Sequence, residues 1–389
     1  MDNGRILIVL PGYRLFGQEQ AMIALARMLD EFGYRPHFLI HRDRGGAVAK
    51  KLDSLGLMWS MLPFGTIWSA SLVLRRPAIL IENIRAVFSC SRALTRLLRE
   101  GSFTHILMGN ASFGYYLLPA LFTSRISLVY RHGDDAAAHS YFHRIMNWLL
   151  FRRTNRHVTN CYYLKRRLES RFGFIDADVI YNVARRMETE EDALPDNILE
   201  HHDQSRDVLF VGQLTRHKGI SELAGAIKSL APIYQDVNFT IVGAFPGAIG
   251  NIDDEMREEL DELVDLYPQR VNVCCFTDRL DGFYRAAYVH VCPSISQDPS
   301  PNVIFEAKQY GVPTVAYKVG GVPELISHTV DGYLCDAIDS DSLAKGIEYY
   351  LTDSNVRAEA SKQAKERAAT VFGPERFRSE WLSVLGINP

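Results

Sequence analysis

Short apolar runs recur along this chain with a helix-length interval after each, and the scheme runs through twice. In the first half Ile6–Leu10, His37–Ile40, His105–Met108, Ser127–Tyr130, His157–Thr159 and Asp178–Tyr181 read as strands. In the second half Asp207–Gly212, Asn238–Gly243, Val271–Phe276, Tyr288–Pro293 and Thr314–Tyr317 do the same. Strands separated by helices are joined by crossovers rather than hairpins, so they pair in parallel with helices on the sheet faces. The expected fold class is α/β, built from two doubly wound parallel sheets. Between the halves, residues 184–206 are polar and charge-rich, with a lone proline and no apolar period, and read as a linker. Domains of 1–183 and 207–372 follow. The last segment, Phe372–Leu385, sets Phe377, Trp381 and Leu385 on one helical face that must pack against something.

At 389 residues and 47 % apolar, the chain can bury two full cores and is not disordered. No apolar run approaches the roughly 18 residues of a membrane span. The run Ile6–Leu10 is broken too soon by Pro11-Gly12 for a signal peptide and reads as a buried first strand. Cys90, Cys161, Cys274, Cys275, Cys292 and Cys335 show no metal-ligand spacing, the pattern of reduced thiols in a cytoplasmic protein. The net charge of −3 hides a division: residues 1–180 hold 24 Lys/Arg against 13 Asp/Glu, and the remainder holds 19 against 33. A basic half suits an anionic membrane surface; it equally suits a solvated surface attracted to the acidic half. Trp59, Phe64, Trp68, Leu72 and Leu74 precede Arg75, Arg76, Arg85, Arg92, Arg96 and Arg99, which fits either an interfacial docking surface or core aromatics beside a solvated face. Acidic overall charge and the lack of a recognition motif argue against nucleic acid.

The richest chemistry lies in Ser294–Ala316. Asp298 sits in a Pro/Ser-rich loop and Glu306 on the helix that follows, starting near Pro301 or Asn302. The amide end of that helix attracts anionic groups. Upstream, Phe210-Val-Gly-Gln-Leu-Thr-Arg-His-Lys-Gly-Ile220 joins a strand to a helix, with Gly212 allowing close backbone approach and Arg216 and Lys218 supplying cations. Tyr130-Arg-His-Gly-Asp-Asp135 ends another strand, where doubly wound folds hold ligands. Asp176-Ala-Asp178 spells a metal-type D-x-D but precedes a strand rather than following one, and reads as a surface turn.

Asp298 and Glu306, with Gly311–Ala316, Gly320–Leu325 and Asp331–Leu334 downstream, resemble the E-x7-E region of retaining GT-B glycosyltransferases of family four, with Asp in place of the first Glu. The resemblance covers nearly the whole chain. It implies two Rossmann-like domains facing across a cleft, an acceptor-binding one at 1–183 and a nucleotide-sugar-binding one at 207–372, with a terminal helix at 373–389 crossing back to the first. It also implies a cytoplasmic enzyme, peripheral at most on the inner face of a membrane, that moves a sugar from a nucleoside diphosphate sugar to a saccharide or lipid-linked acceptor. A UDP-sugar donor is favoured over a GDP-sugar, with no metal or other cofactor.

Carried onto this sequence, the resemblance sets Glu306 on the ribose, Lys218 and Arg216 on the diphosphate and Asp298 by the donor sugar. Asn302, Val303, Gly212 and Gly17 complete the donor site, with Phe276 and Thr277 near the base and His132 beside the transferred sugar, oriented by Asp134 or Asp135. Gln213 stands where the family usually has an arginine, Phe16 replaces one glycine of the first loop, and Tyr181-Asn182-Val183 lacks the glycine of the usual interdomain hinge. A sugar-nucleotide epimerase and a non-catalytic sugar-nucleotide-binding protein are the competing readings.

Overall fold

The order of strands within each sheet determines where a ligand can sit. The computed structural model describes residues 4–10, 17–42, 46–65, 78–134, 141–183, 206–244, 254–275, 277 and 279–387. Contacts divide the chain into two compact units, Met1–Tyr181 with Arg378–Pro389, and Asn182–Phe377. The segment read as a linker lies, apart from Arg206, outside the described residues.

The first unit holds β1 (Arg5–Val9), β2 (Arg35–His41), β3 (Met58–Leu62), β4 (Phe103–Met108), β5 (Ser127–His132), β6 (Arg156–Thr159) and β7 (Ala177–Val179), in the order β3-β2-β1-β4-β5-β6-β7. Every pairing is parallel. The central strands are buried on both faces: Ile6, Leu7 and Ile8 are wholly enclosed, as are Phe38, Leu39 and Ile40. The sequence reading missed β3, an edge strand whose residues are mostly half-exposed or exposed and give no core signal.

The second unit holds β8 (Arg206–Gln213), β9 (Val237–Ala244), β10 (Val271–Cys275), β11 (Ala287–Cys292), β12 (Thr314–Tyr317) and β13 (Gly332–Cys335), in the order β10-β9-β8-β11-β12-β13, again all parallel. Here β13 was missed; four residues opening on glycine at a sheet edge carry little strand propensity. The chain leaves β8 for β9 on one side and later returns to β11 on the other. A crevice therefore opens at the carboxyl ends of β8 and β11, the switch point where α/β sheets bind ligands.

The terminal helix, Pro374–Leu385, changes unit partway along. In the first unit Arg378 pairs with Glu31 at 3.4 Å and lies over the Phe32 ring, and Trp381 is 1 % exposed. This accounts for the apolar face of Phe377, Trp381 and Leu385 in the sequence, since all three are buried.

Candidate active site

Two loops meet at the switch point of the second sheet. After β8, Leu214 and Thr215 lead into a single 3₁₀ turn, Arg216–Lys218, closed by Gly219 with φ of 77°. Only glycine fits there, because a Cβ would lie 1.8 Å from the carbonyl oxygen of Pro293. That contact presses the turn against the segment leaving β11, and the Ile295 N–H donates to the His217 carbonyl at 3.1 Å. Lys218 Nζ then reaches Asp298 Oδ2 at 2.7 Å, joining the two sides of the crevice. Both side chains keep some exposure, 27 % for Lys218 and 18 % for Asp298. His217 is held below its ordinary pKa by burial and by the Lys218 ammonium.

Asp298 is fixed by its neighbours. Its Oδ1 accepts the Ser300 N–H at 3.2 Å, and its carbonyl accepts the Gly321 N–H at 3.0 Å. Gly320, at φ 55°, packs so closely on the Asp298 backbone that a Cβ would stand 2.2 Å from its carbonyl oxygen. The Gly320-Gly321 pair is thus the buttress of the carboxylate loop.

The helix Asn302–Gln309 begins beside Asp298, capped by Pro301, which offers no side-chain acceptor to the first amides. Asn302 Oδ1 accepts from Asn182 Nδ2 at 2.7 Å, and Val303 is half-buried on the first turn. One turn further on, Glu306 Oε2 accepts the Tyr284 hydroxyl at 2.9 Å. Tyr284 is buried and stacked on Tyr310, with ring centroids 5.7 Å apart. Burial and the Glu306 charge hold its phenol well above its ordinary pKa, so it stays a donor. The sequence reading missed Tyr284, which lies in the helix before β11.

A second residue missed is Lys308, in the same helix. Lys308 and Asp331 side chains are both 0 % exposed and pair at 2.5 Å, with Arg367 Nε 3.0 Å from the same carboxylate oxygen. Asp331 Oδ1 also accepts the Ser327 N–H at 2.8 Å. The Asp331–Leu334 motif therefore acts by fastening the Glu306 helix from below.

Gly212 and Arg216 belong to the same β8 end and turn as Lys218. Gly212 sits near the end of β8 opposite Gly243, where a Cβ on Gly243 would be 2.1 Å from the Gly212 carbonyl oxygen. Arg216 is exposed on the 3₁₀ turn, and Thr277 Oγ1 accepts the Arg279 N–H at 3.1 Å. Gly17 opens the first helix of the first unit. Phe276, Asp135, Gly12, Phe16, Trp68, Leu72, Leu74, Arg75 and Arg76 lie outside the described residues. Asp176 is exposed and paired with Lys165, and Asp178 falls within β7 and pairs with Arg156 at 3.8 Å.

His132, expected beside the transferred sugar, is the last residue of β5. It is 1 % exposed, and its Nε2 bonds His157 Nδ1 at 3.0 Å, rather than a carboxylate. Both faces of β5 are covered, so the strand's end gave no sign of which way the ring turns. Burial, then His157 and Arg131, hold His132 far below its ordinary pKa; burial holds His157 down to about 4. Both rings are neutral in the fold and protonate more readily when unfolded, so the unfolded chain binds more protons below the ordinary histidine pKa of 6.5. Stability is accordingly expected to fall as pH drops from about 6.5 through about 4. Urea denaturation at neutral and mildly acid pH checks this, and His157→Phe is expected to flatten the dependence.

Two parallel-sheet, Rossmann-like units, with a phosphate-type loop and an acid-bearing helix at the switch point of the second, define the GT-B class. Residues 17–184 match the family model described as Glycosyltransferase Family 4, and residues 195–367 the one described as Glycosyl transferases group 1. The chain belongs to this glycosyltransferase family. An uncharacterized glycosyltransferase of Haemophilus influenzae is 26 % identical over 183 residues, 47 % of this chain and 49 % of that protein. The lipopolysaccharide core biosynthesis glycosyltransferase LpsD of Rhizobium meliloti is 26 % identical over 211 residues, 54 % of this chain and 57 % of that one. The chain thus spans about half the length of the curated relatives it matches. The crystal structure of Anabaena HepE in complex with UDP-glucose shares the fold at a TM-score of 0.78, with 21 % identity, 99 % of this chain and 100 % of that chain covered.

Proposed function

We propose that this protein is a retaining glycosyltransferase that moves a hexosyl-type residue from a UDP-sugar to an acceptor hydroxyl. The acceptor class is a saccharide or lipid-linked saccharide of cell-surface polysaccharide, lipopolysaccharide or glycolipid assembly, presented at a membrane surface. The observation that carries the reading is the Lys218–Asp298 pair across the switch point, set beside the start of the Asn302–Gln309 helix with Glu306 one turn in. UDP-glucose in the Anabaena neighbour and the lipopolysaccharide role of the Rhizobium relative support the donor and acceptor classes.

In this reading the donor diphosphate takes the Lys218 ammonium from Asp298, and the helix amides at Asn302 and Val303 share its charge. The freed Asp298 carboxylate accepts from a hydroxyl of the donor sugar. Glu306, one oxygen already held by Tyr284, turns the other to the ribose hydroxyls. The bond from the anomeric carbon to the phosphate oxygen breaks and its electron pair stays on the diphosphate. The acceptor oxygen bonds the same face, and its proton passes to the leaving phosphate. The residues supply the neutralising charge themselves, so the reading calls for no resident metal or other cofactor. In this reading Arg216 adds a second cation where Gln213 lacks one.

Glu306→Gln is expected to weaken donor binding by about 1.5–3 kcal/mol, the worth of hydrogen bonds to a charged group. Titration calorimetry with UDP-glucose measures it, and an unchanged affinity in a folded variant would remove Glu306 from the site. Acceptor-dependent sugar transfer, followed by product analysis, separates this function from epimerisation and from binding alone.

A further inference from the structure

The helices on one side of the first sheet carry an outer surface for which the donor site has no use. The crossovers from β3 to β4, β4 to β5 and β5 to β6 all step the same way across the sheet. Right-handed crossovers therefore set the helices Ala78–Glu100, Leu118–Thr123 and Tyr141–Arg153 on one face. Their inner sides share a single core, with Cys90 and Leu94 from the first, Leu121 from the second, and Leu150 and Phe151 from the third.

Their outer sides are not polar. At about 100° per residue, Ile81, Ile84, Arg85, Phe88 and Arg92 fall within about 100° of one another, opposite the buried Cys90 and Leu94. Ile81 is 55 % exposed, Ile84 45 % and Phe88 66 %. On the third helix Ile145, Trp148 and Arg152 recur at helical spacing, and Ile145 and Trp148 are 48 % and 45 % exposed. Arg152 lies over the Trp148 ring at 5.4 Å. Phe122, on the helix between, is 53 % exposed. Scattered exposed apolar residues are ordinary, whereas aligned stripes on neighbouring helices mark a contact surface.

We propose that this face docks on an anionic lipid bilayer. Ile84, Phe88 and Trp148 enter the boundary between headgroups and acyl chains, and Arg85, Arg92 and Arg152 meet lipid phosphates. The inference rests on the reading that the acceptor is presented at a membrane surface, and it supplies the surface that holds the enzyme there. Charge selects the occupant. The Tyr141–Arg153 helix carries three arginines and no acid, and the Ala78–Glu100 helix four arginines against Glu82 and Glu100. Residues 1–180 hold 24 Lys/Arg against 13 Asp/Glu, whereas the rest of the chain is acidic and is repelled by an anionic surface. A twofold pairing of this face with a second copy would set arginines against arginines. Among the described residues no helix is long and apolar enough to cross a membrane, so attachment through this face is peripheral.

Co-sedimentation of the full chain with phosphatidylcholine vesicles, with and without phosphatidylglycerol, tests the proposal at low and moderate salt. Binding is expected only with phosphatidylglycerol and is expected to weaken as salt rises. Ile84→Ser with Phe88→Ser should lower the bound fraction roughly tenfold, through lost apolar burial. Arg85→Glu with Arg92→Glu should abolish the preference for phosphatidylglycerol. UDP-glucose affinity, measured on the same variants by calorimetry, should stay at the wild-type value, which separates failure of docking from failure of the donor site. Wild-type vesicle binding in both double variants would overturn the proposal. So would a dimer in sedimentation velocity that Ile84→Ser with Phe88→Ser dissociates, since the face would then belong to a second copy.

Discussion

Lys218→Ala is expected to lower kcat by about 100-fold, the effect of removing one preorganised stabiliser of developing charge. The melting temperature should move little. Lys218 sits on a short 3₁₀ turn with 27 % of its side chain exposed, and its ion pair with Asp298 is open enough to solvent to contribute modestly to stability. Its worth lies in the reaction: as the sugar leaves, negative charge grows on the diphosphate, and an ammonium carried on a turn fixed by the close contact of Gly219 with Pro293 answers it with little reorganisation. Asp298 keeps its bond from the Ser300 amide in the variant, so the carboxylate loop stays formed. Steady-state transfer assays and thermal denaturation, run together, check both halves of the expectation. Wild-type turnover in Lys218→Ala would make Lys218 a surface residue and leave the leaving-group charge to Arg216 and the helix amides.

What could be read from sequence here depends on whether a residue's role is local. Asp298, the Asn302 helix and Glu306 follow one another along the chain, and Arg216–Lys218 follows β8 directly, so the resemblance to the E-x7-E region could be carried onto them residue by residue. The structure adds how the two loops come to face each other, through β8 and β11 lying side by side although two strands separate them in sequence. Tyr284 and Lys308 were out of reach for the opposite reason. Tyr284 is 22 residues from the Glu306 it bonds, and Lys308 is 23 from Asp331. On a helix that opens a ligand site, a lysine reads as solvated until the layer beneath it is known. For His132 the strand end was legible but not the way its ring turns, since a strand enclosed on both sides has no solvent face from which to infer direction. β3 escaped because its mostly exposed residues give no core signal, and β13 because four residues opening on glycine make too short a run.

The buried ion pair under the Glu306 helix leads to the largest expected change in stability. Asp331→Ala should cost about 3–5 kcal/mol, because it leaves a buried cation without its partner. Lys308 and Asp331 are both fully enclosed, and Arg367, 24 % exposed, approaches the same oxygen from the Ser354–Ala369 helix. Burial lowers Lys308 to about 8 even with Asp331 opposing it, so without that carboxylate the ammonium is expected to lose its proton rather than persist charged. The Ser327 amide would lose its acceptor at the same time. Replacing the pair with apolar side chains of similar volume, Lys308→Met with Asp331→Leu, should recover much of the loss, since a buried pair contributes little net stability over well-packed hydrophobic residues. Urea denaturation at neutral pH measures all three proteins. A loss below about 1 kcal/mol in Asp331→Ala would show the enclosure to be looser than the geometry states. A large loss that the double variant restores would show that this chain spends a buried charge pair on fixing the helix that carries Glu306, and donor affinity in the restored variant would then report how closely that fixing governs the site.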